Sequence, residues 1–232
     1  MIDGRVQSTY GGSMQVRSRL QLIVHVVALG LAPILTILFA WRDRALDYSG
    51  GAARRFDEFA SQADLVLGQG LVFFALQVTL VPAALAFLWL VHGRGRTLVI
   101  LGVGLYVLSA LGHAAFAGAQ LLLHQMVLAD DQPAMREAYS AFDGSSEFVV
   151  VALPGLLGLV LGSLLLGIGV IRSVELPWWI GAALIGFLVA EFALGGAVDW
   201  GTLVAAIFWA VALWGAAVQT WRARDASDAL AS

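Results

Sequence analysis

Cysteine and lysine are both absent from this 232-residue chain, and charge of either sign is scarce. Without thiols there can be no disulfides, no thiolate metal ligands and no cysteine redox chemistry. Without lysine there is no amine for a retinal Schiff base, which removes that class of membrane protein. Charged residues make up only 12% of the chain while 60% is hydrophobic and the mean hydropathy is +0.85. An average soluble domain is about 25% charged, so this composition is that of a polytopic membrane protein. The net charge is -3 and the 13 basic residues, all arginine, are scattered over short polar segments. No basic stripe exists for nucleic acid, which is not an expected partner. Heavy use of Ala, Gly, Val and Leu with arginine in place of lysine points to a GC-rich bacterial genome. The first 16 residues contain no apolar core of the signal-peptide kind, so a removable leader is not expected.

The hydrophobic runs divide the chain into six expected spans: Arg19 to Trp41, Asp64 to Val91, Thr97 to Met126, Glu147 to Ile171, Pro177 to Gly195 and Trp200 to Trp221. The expected fold is therefore an all-α bundle of six transmembrane helices over residues 19–221. A mobile N-terminal tail (1–18) and a disordered C-terminal tail (222–232) flank it. Two polar connections carry helical periodicity of their own. In RRFDEFASQAD, Phe56, Phe59 and Ala63 recur at three- and four-residue spacing. After Asp131, which can cap a helix with Pro133 in its first turn, Met135, Tyr139 and Phe142 fall on one face. Each is read as a short amphipathic helix in an outer loop.

The third run, TLVILGVGLYVLSALGHAAFAGAQLLLHQM, organises the rest. Its 30 residues measure about 45 Å as a helix, enough to cross a hydrocarbon layer about 30 Å thick with tilt. Unlike a plain span it carries a polar stripe, with Tyr106, Ser109, His113, Gln120 and His124 on one face. Such groups are expensive against lipid and must look at other helices or at a wet cavity. The fourth span carries a second stripe, of small residues: Gly155, Gly158, Gly162 and Gly169, including the GxxxG pair GLVLG. That face lets another helix backbone come close.

Six spans put both termini on one side. Eight arginines fall in the terminal segments and the turns at 92–96 and 172–176, against five in the opposite loops. The excess places both termini in the cytoplasm of a bacterial cytoplasmic membrane. In that orientation Asp64, Gln69, His113, Gln120, His124, Glu147 and Glu191 fall in the outer half, and with Tyr106 they are the candidate lining of a polar cavity opening outward. The function expected from this pattern is binding or permeation of a small ligand or ion, or a structural or regulatory membrane role. The lipid bilayer is the evident partner, and a homo-oligomer or a second membrane protein is compatible with the sequence.

The rival reading is a membrane-embedded metal enzyme using His113 or His124 with carboxylates. These histidines are eleven residues apart, about 16 Å along a helix, so one ion cannot take both. No cofactor is indicated. A haem would need paired histidines at equal depth, and only His25 and His92 lie on the inner side. GxSxG is absent, as is the closely spaced histidine pair of seven-helix zinc hydrolases of the ceramidase and adiponectin-receptor type. The glycines of the fourth span follow no strand, so they form no nucleotide loop.

The layout is also familiar. A first span followed by a polar loop with a short helix, QGLVFFALQVTLVPAALAFLWLVHGRGR, a long Gly-rich third span, an acidic loop and LPGLLGLVLGSLLLGIGVIRSVELPWWIGAALI together resemble small six-helix integral membrane proteins of high-GC bacteria. The resemblance covers residues 19–221 and implies a helical membrane fold. It implies no activity and no catalytic residues, because none is established for that family.

Overall fold

A computed structural model describes residues 19–231 apart from Gly144, Gly196 and Asp199. The expected N-terminal tail lies outside the described residues. The described chain is entirely helical: α1 (Arg19–Asp43), α2 (Ala52–Ser61), α3 (Ala63–Leu90), α4 (Arg96–Val127), α5 (Gln132–Asp143), α6 (Ser146–Arg172), α7 (Trp178–Leu194) and α8 (Gly201–Ala231). Five of these are long and apolar enough to cross a membrane, namely α1, α3, α4, α6 and α8, while α7 is a shorter apolar helix of 17 residues. The segment from Arg222, expected to be a disordered tail, continues α8 as helix to Ala231. Its sequence, RARDASDALA, is rich in good helix formers and contains no glycine or proline to stop propagation.

The six longest apolar helices close into a ring. α1 packs against α3, α3 against α4, α4 against α6, α6 against α7, α7 against α8, and α8 returns to α1. Short turns at 91–95, 173–177 and 195–200 make the ring an up-and-down one. α2 and α5 sit together at one end, here the cap end, where they touch each other and α4. At the opposite, turn end, Glu175 Oε1 accepts the Gly93 N–H at 2.8 Å, which ties two turns together. Slight burial acts to raise the Glu175 pKa, but the N–H groups of its own residue, Gly93, His92 and Val174 outweigh this and hold it below the usual carboxylate range.

Outward faces are apolar. Leu20, Ile23, Val27, Leu31, Ile34 and Leu38 form such a stripe on α1, and Leu71, Phe74 and Val78 form one on α3. Surfaces of this extent are those of a lipid-facing bundle. Exposed Trp41 and Trp200 stand at the cap end and Trp178 and Trp221 at the turn end, the placement of interfacial anchors.

The most extensive packing in the ring is between α4 and α6, and it is close. A Cβ added at Gly158 would lie 2.6 Å from Leu105 O, one at Gly162 3.1 Å from Tyr106 N, and one at Gly169 3.0 Å from Val99 N, while Gly155 faces His113 N at 3.4 Å. α4 answers with its own glycines, since a Cβ at Gly102 would meet Leu166 N, and one at Gly112 would meet Gly155 N, each at 2.6 Å. Gly95, at φ +90, caps the N-terminus of α4 in the left-handed region, and its backbone lies against the carbonyl of Gly169. A β-carbon there would be both strained and obstructed.

Polar links fasten the other junctions. His25 Nδ1 donates to Pro82 O at 2.9 Å between α1 and α3, and Trp214 Nε1 donates to Gly30 O at 3.1 Å between α8 and α1. Two substitutions separate seam from surface. Gly158→Ala should lower detergent thermal stability by about 1 to 3 kcal/mol through overpacking. Gly104→Ala, with nothing within 4 Å of the new methyl, should leave stability unchanged or raise it by up to about 1 kcal/mol. Equal effects would mean that the α4–α6 seam is not a close one.

Candidate functional site

The ring encloses or borders two cavities, and the polar stripe of α4 divides between them. Its lower part is committed to packing. Tyr106, fully buried, shares a hydrogen bond of 2.6 Å with Ser163 Oγ of α6 and receives one of 3.2 Å from Trp209 Nε1 of α8. Ser109 Oγ donates to Gly155 O at 2.9 Å. These groups are paired across a buried contact.

The larger cavity, about 410 Å³, lies at the cap end. Its walls come from the first turns of α3 and the last turns of α4, and its roof from Phe59 of α2 and Ala138, Tyr139 and Phe142 of α5. Most of the lining is apolar, but the amides of Gln69 and Gln120, the phenols of Tyr48 and Tyr139 and the Arg55–Asp143 pair break it. Gln69, only 1% exposed, donates from Nε2 to Asp43 Oδ1 at 3.1 Å and more weakly to Phe39 O at 3.4 Å. Both partners are acceptors, so the amide cannot be turned over, and Oε1 is left buried without a donor. Gln120 Oε1 is buried and unpartnered as well. Orphaned acceptors of this kind are uncommon and call for an explanation.

The roof is held by rings and charges. Tyr139 lies 5.8 Å from Phe56 and 6.2 Å from Phe59, centroid to centroid. Arg55 of α2 pairs with Asp143 of α5, half-buried, and Arg136 pairs with Asp57 nearer the surface. Burial first, and then the negative charge of Asp143, push the Tyr139 phenol above its ordinary value, with Arg55 opposing. The phenol therefore stays protonated beside the cavity and keeps its O–H donor.

A second cavity of about 190 Å³ lies on the ring axis, with walls from all six ring helices. It brings together Thr36, Gln77, His113, Glu191, Thr202 and the rings of Phe39, Phe73, Phe187 and Trp209. Phe73 separates the two cavities. It stacks on Phe39 at 4.6 Å and meets His113 and Phe116 edge-on at 5.6 and 6.2 Å. On α3 the residues Gln69, Phe73 and Gln77 are spaced by four, so an amide lies on each side of this aromatic partition.

Gln69 and Gln120 line the cap-end cavity, and His113 and Glu191 line the axial one. Tyr106 is part of the α4–α6–α8 contact. His124 is buried beside Gln125, whose Nε2 lies 3.1 Å from His124 Nδ1, and it lines neither cavity. Asp64 is exposed in the first turn of α3. The Glu147 side chain lies outside the described residues. Among the described residues no three His, Asp or Glu side chains come together as a metal site.

Gln77, Asp43 and the aromatic partition are not among the lining residues expected from the sequence. The eight-residue interval from Gln69 to Gln77 was the available signal for the first of these. Asp43 looked like a loop residue, because α1 extends two residues beyond its last apolar side chain. Comparison with protein-family models, curated proteins and solved structures found no match.

The roof offers a direct measurement. In a double-mutant cycle of Arg55→Ala and Asp143→Ala, thermal unfolding should reveal a coupling of about 1 to 2 kcal/mol, between the values for exposed and buried pairs. Additive effects would show that α2 and α5 are not held by this pair.

Proposed function

We propose that this chain is a six-span protein of the bacterial cytoplasmic membrane, with both termini inside, that binds an amphipathic small molecule in the cap-end cavity on its outer face. The observation that carries the reading is the pair of buried, unpartnered amide oxygens of Gln69 and Gln120 at a mostly apolar space of about 410 Å³, which the Arg55–Asp143 pair borders on the roof side. That volume falls in the range of ligand sites. The lining calls for a molecule with a hydrocarbon body and a head that donates hydrogen bonds. Bound there, it would satisfy both acceptors, whereas an empty apolar pocket would leave them orphaned.

Six crossings rest on α7. Its 17 residues span about 26 Å, near the lower limit for a membrane helix, and Trp178 and Trp200 flank it as interfacial anchors. Orientation rests on the arginine excess of the turn end. Because the chain has no cysteine, it can be tested with single thiols at exposed positions. An impermeant thiol reagent applied to intact cells should label Ala134→Cys and spare His92→Cys. The opposite pattern would put the cap in the cytoplasm.

The ligand itself can be sought by extracting small molecules and lipids from the purified protein. An amphipathic compound should accompany the wild type in near-stoichiometric amount. It should fall by about tenfold or more, a loss of 1.4 kcal/mol of binding, in Ala119→Trp, where an indole fills the cavity. Identical extracts from a folded Ala119→Trp protein would refute ligand binding at this site.

A further inference from the structure

We propose that the axial cavity is a second binding site, for a small organic ammonium cation carrying N–H donors. Beside the Thr202 hydroxyl and the Gln77 amino group, three acceptors without a donor stand around it. Gln77 is 4% exposed, and its Oε1 is buried with no partner. Glu191 has no ion-pair partner among the described residues, and the charge that reaches it is a second carboxylate, Asp43. His113 Nδ1 donates to Ser109 O at 3.0 Å, so in the neutral ring Nε2 is left as an acceptor. Thr36 spends its hydroxyl proton on Ala32 O at 2.9 Å. No arginine lines the space.

A cavity with this inventory attracts positive charge and hydrogen-bond donors together. Its remaining walls decide what kind of cation. Phe73, Phe187 and Trp209 border the same space, with Phe187 and Trp209 5.9 Å apart. Aromatic faces favour alkylammonium groups, whose methyl or methylene carbons they can cover. A divalent metal would require several oxygen ligands in a close shell, and the cavity supplies one carboxylate. The volume of about 190 Å³ equals that of about six water molecules at the roughly 30 Å³ each occupies in the liquid, which suits a cation of a few heavy atoms. Gln77 Oε1 discriminates within the class. A primary ammonium can donate to it, while a tetramethylammonium ion cannot.

The test uses the purified full chain in lipid nanodiscs, titrated with methylammonium, tetramethylammonium or potassium chloride at matched ionic strength, with ethanol as the neutral control. Methylammonium should raise the melting temperature saturably and change tryptophan fluorescence through Trp209. Potassium and ethanol should do neither, and tetramethylammonium should bind about tenfold more weakly or not at all. Glu191→Gln and Gln77→Leu should each weaken methylammonium binding by about tenfold or more, while Gln120→Leu, in the other cavity, should leave it unchanged. No saturable response to methylammonium, or an equal response to potassium or ethanol, overturns the proposal on the wild type alone. An undiminished response in folded Glu191→Gln also overturns it. Because Gln120→Leu and Ala119→Trp touch only the cap-end cavity, failure of either site is read separately from the other.

Discussion

The seam between α4 and α6 is the constraint on which the remainder of the structure depends. In hydrocarbon, apolar side chains gain nothing by leaving lipid for another helix, so close association has to come from backbone approach and polar pairing. Glycines on both helices provide the approach. Ser109 to Gly155 and Tyr106 to Ser163 supply the pairing, and both are reachable only because the backbones are close. Once one face of α4 is spent in this way, His113 and Gln120 are turned toward α3 and the ring interior. The two cavities are therefore by-products of a tight contact elsewhere.

Phe73 gives those cavities their different characters. A single ring stacked on Phe39 and met edge-on by His113 and Phe116 is enough to isolate the axial space from the capped one. The glutamines on either side of it then experience unlike surroundings. Gln69 is fixed by Asp43 and faces an apolar chamber beneath the two amphipathic helices. Gln77 faces a small chamber with a carboxylate and four aromatic rings. One helix face thus presents the same functional group to two differently lined spaces.

Much of the helical layout could be read from the residues. Long apolar runs bounded by arginine, Trp178-Trp179 and glycine turns mark the helices of the ring to within a few residues, the end of α8 excepted. The amphipathic spacing of Phe56, Phe59, Met135 and Tyr139 marks the two short ones, and Asp131 does accept the Ala134 N–H at 3.1 Å as a helix cap. The sites were less legible, because a one-dimensional pattern gives depth and face but not which neighbour a face meets. The stripe from Tyr106 to His124 is continuous in sequence, yet α6 takes its lower part, the axial cavity takes His113 and the capped cavity takes Gln120. Aromatic residues such as Phe73 and Trp209 resemble ordinary core residues until their partners are known. The helical continuation past Arg222 runs against the polarity of that stretch, whose alanines and arginines favour helix.

Closure of the ring through α8 and α1 bears on biosynthesis. Helices enter the membrane in chain order, so α1 has no partner on its α8 side until the last span arrives and Trp214 reaches Gly30 O. Thr202 and Trp209 complete the axial wall at the same moment. Until then the incomplete bundle presents Glu191, Gln77 and His113 through an open seam to lipid or to whatever insertion machinery shields it. A chain interrupted before Gly201 would leave the Glu191 carboxylate without the wall that α8 provides, a polar group open where the finished bundle is closed.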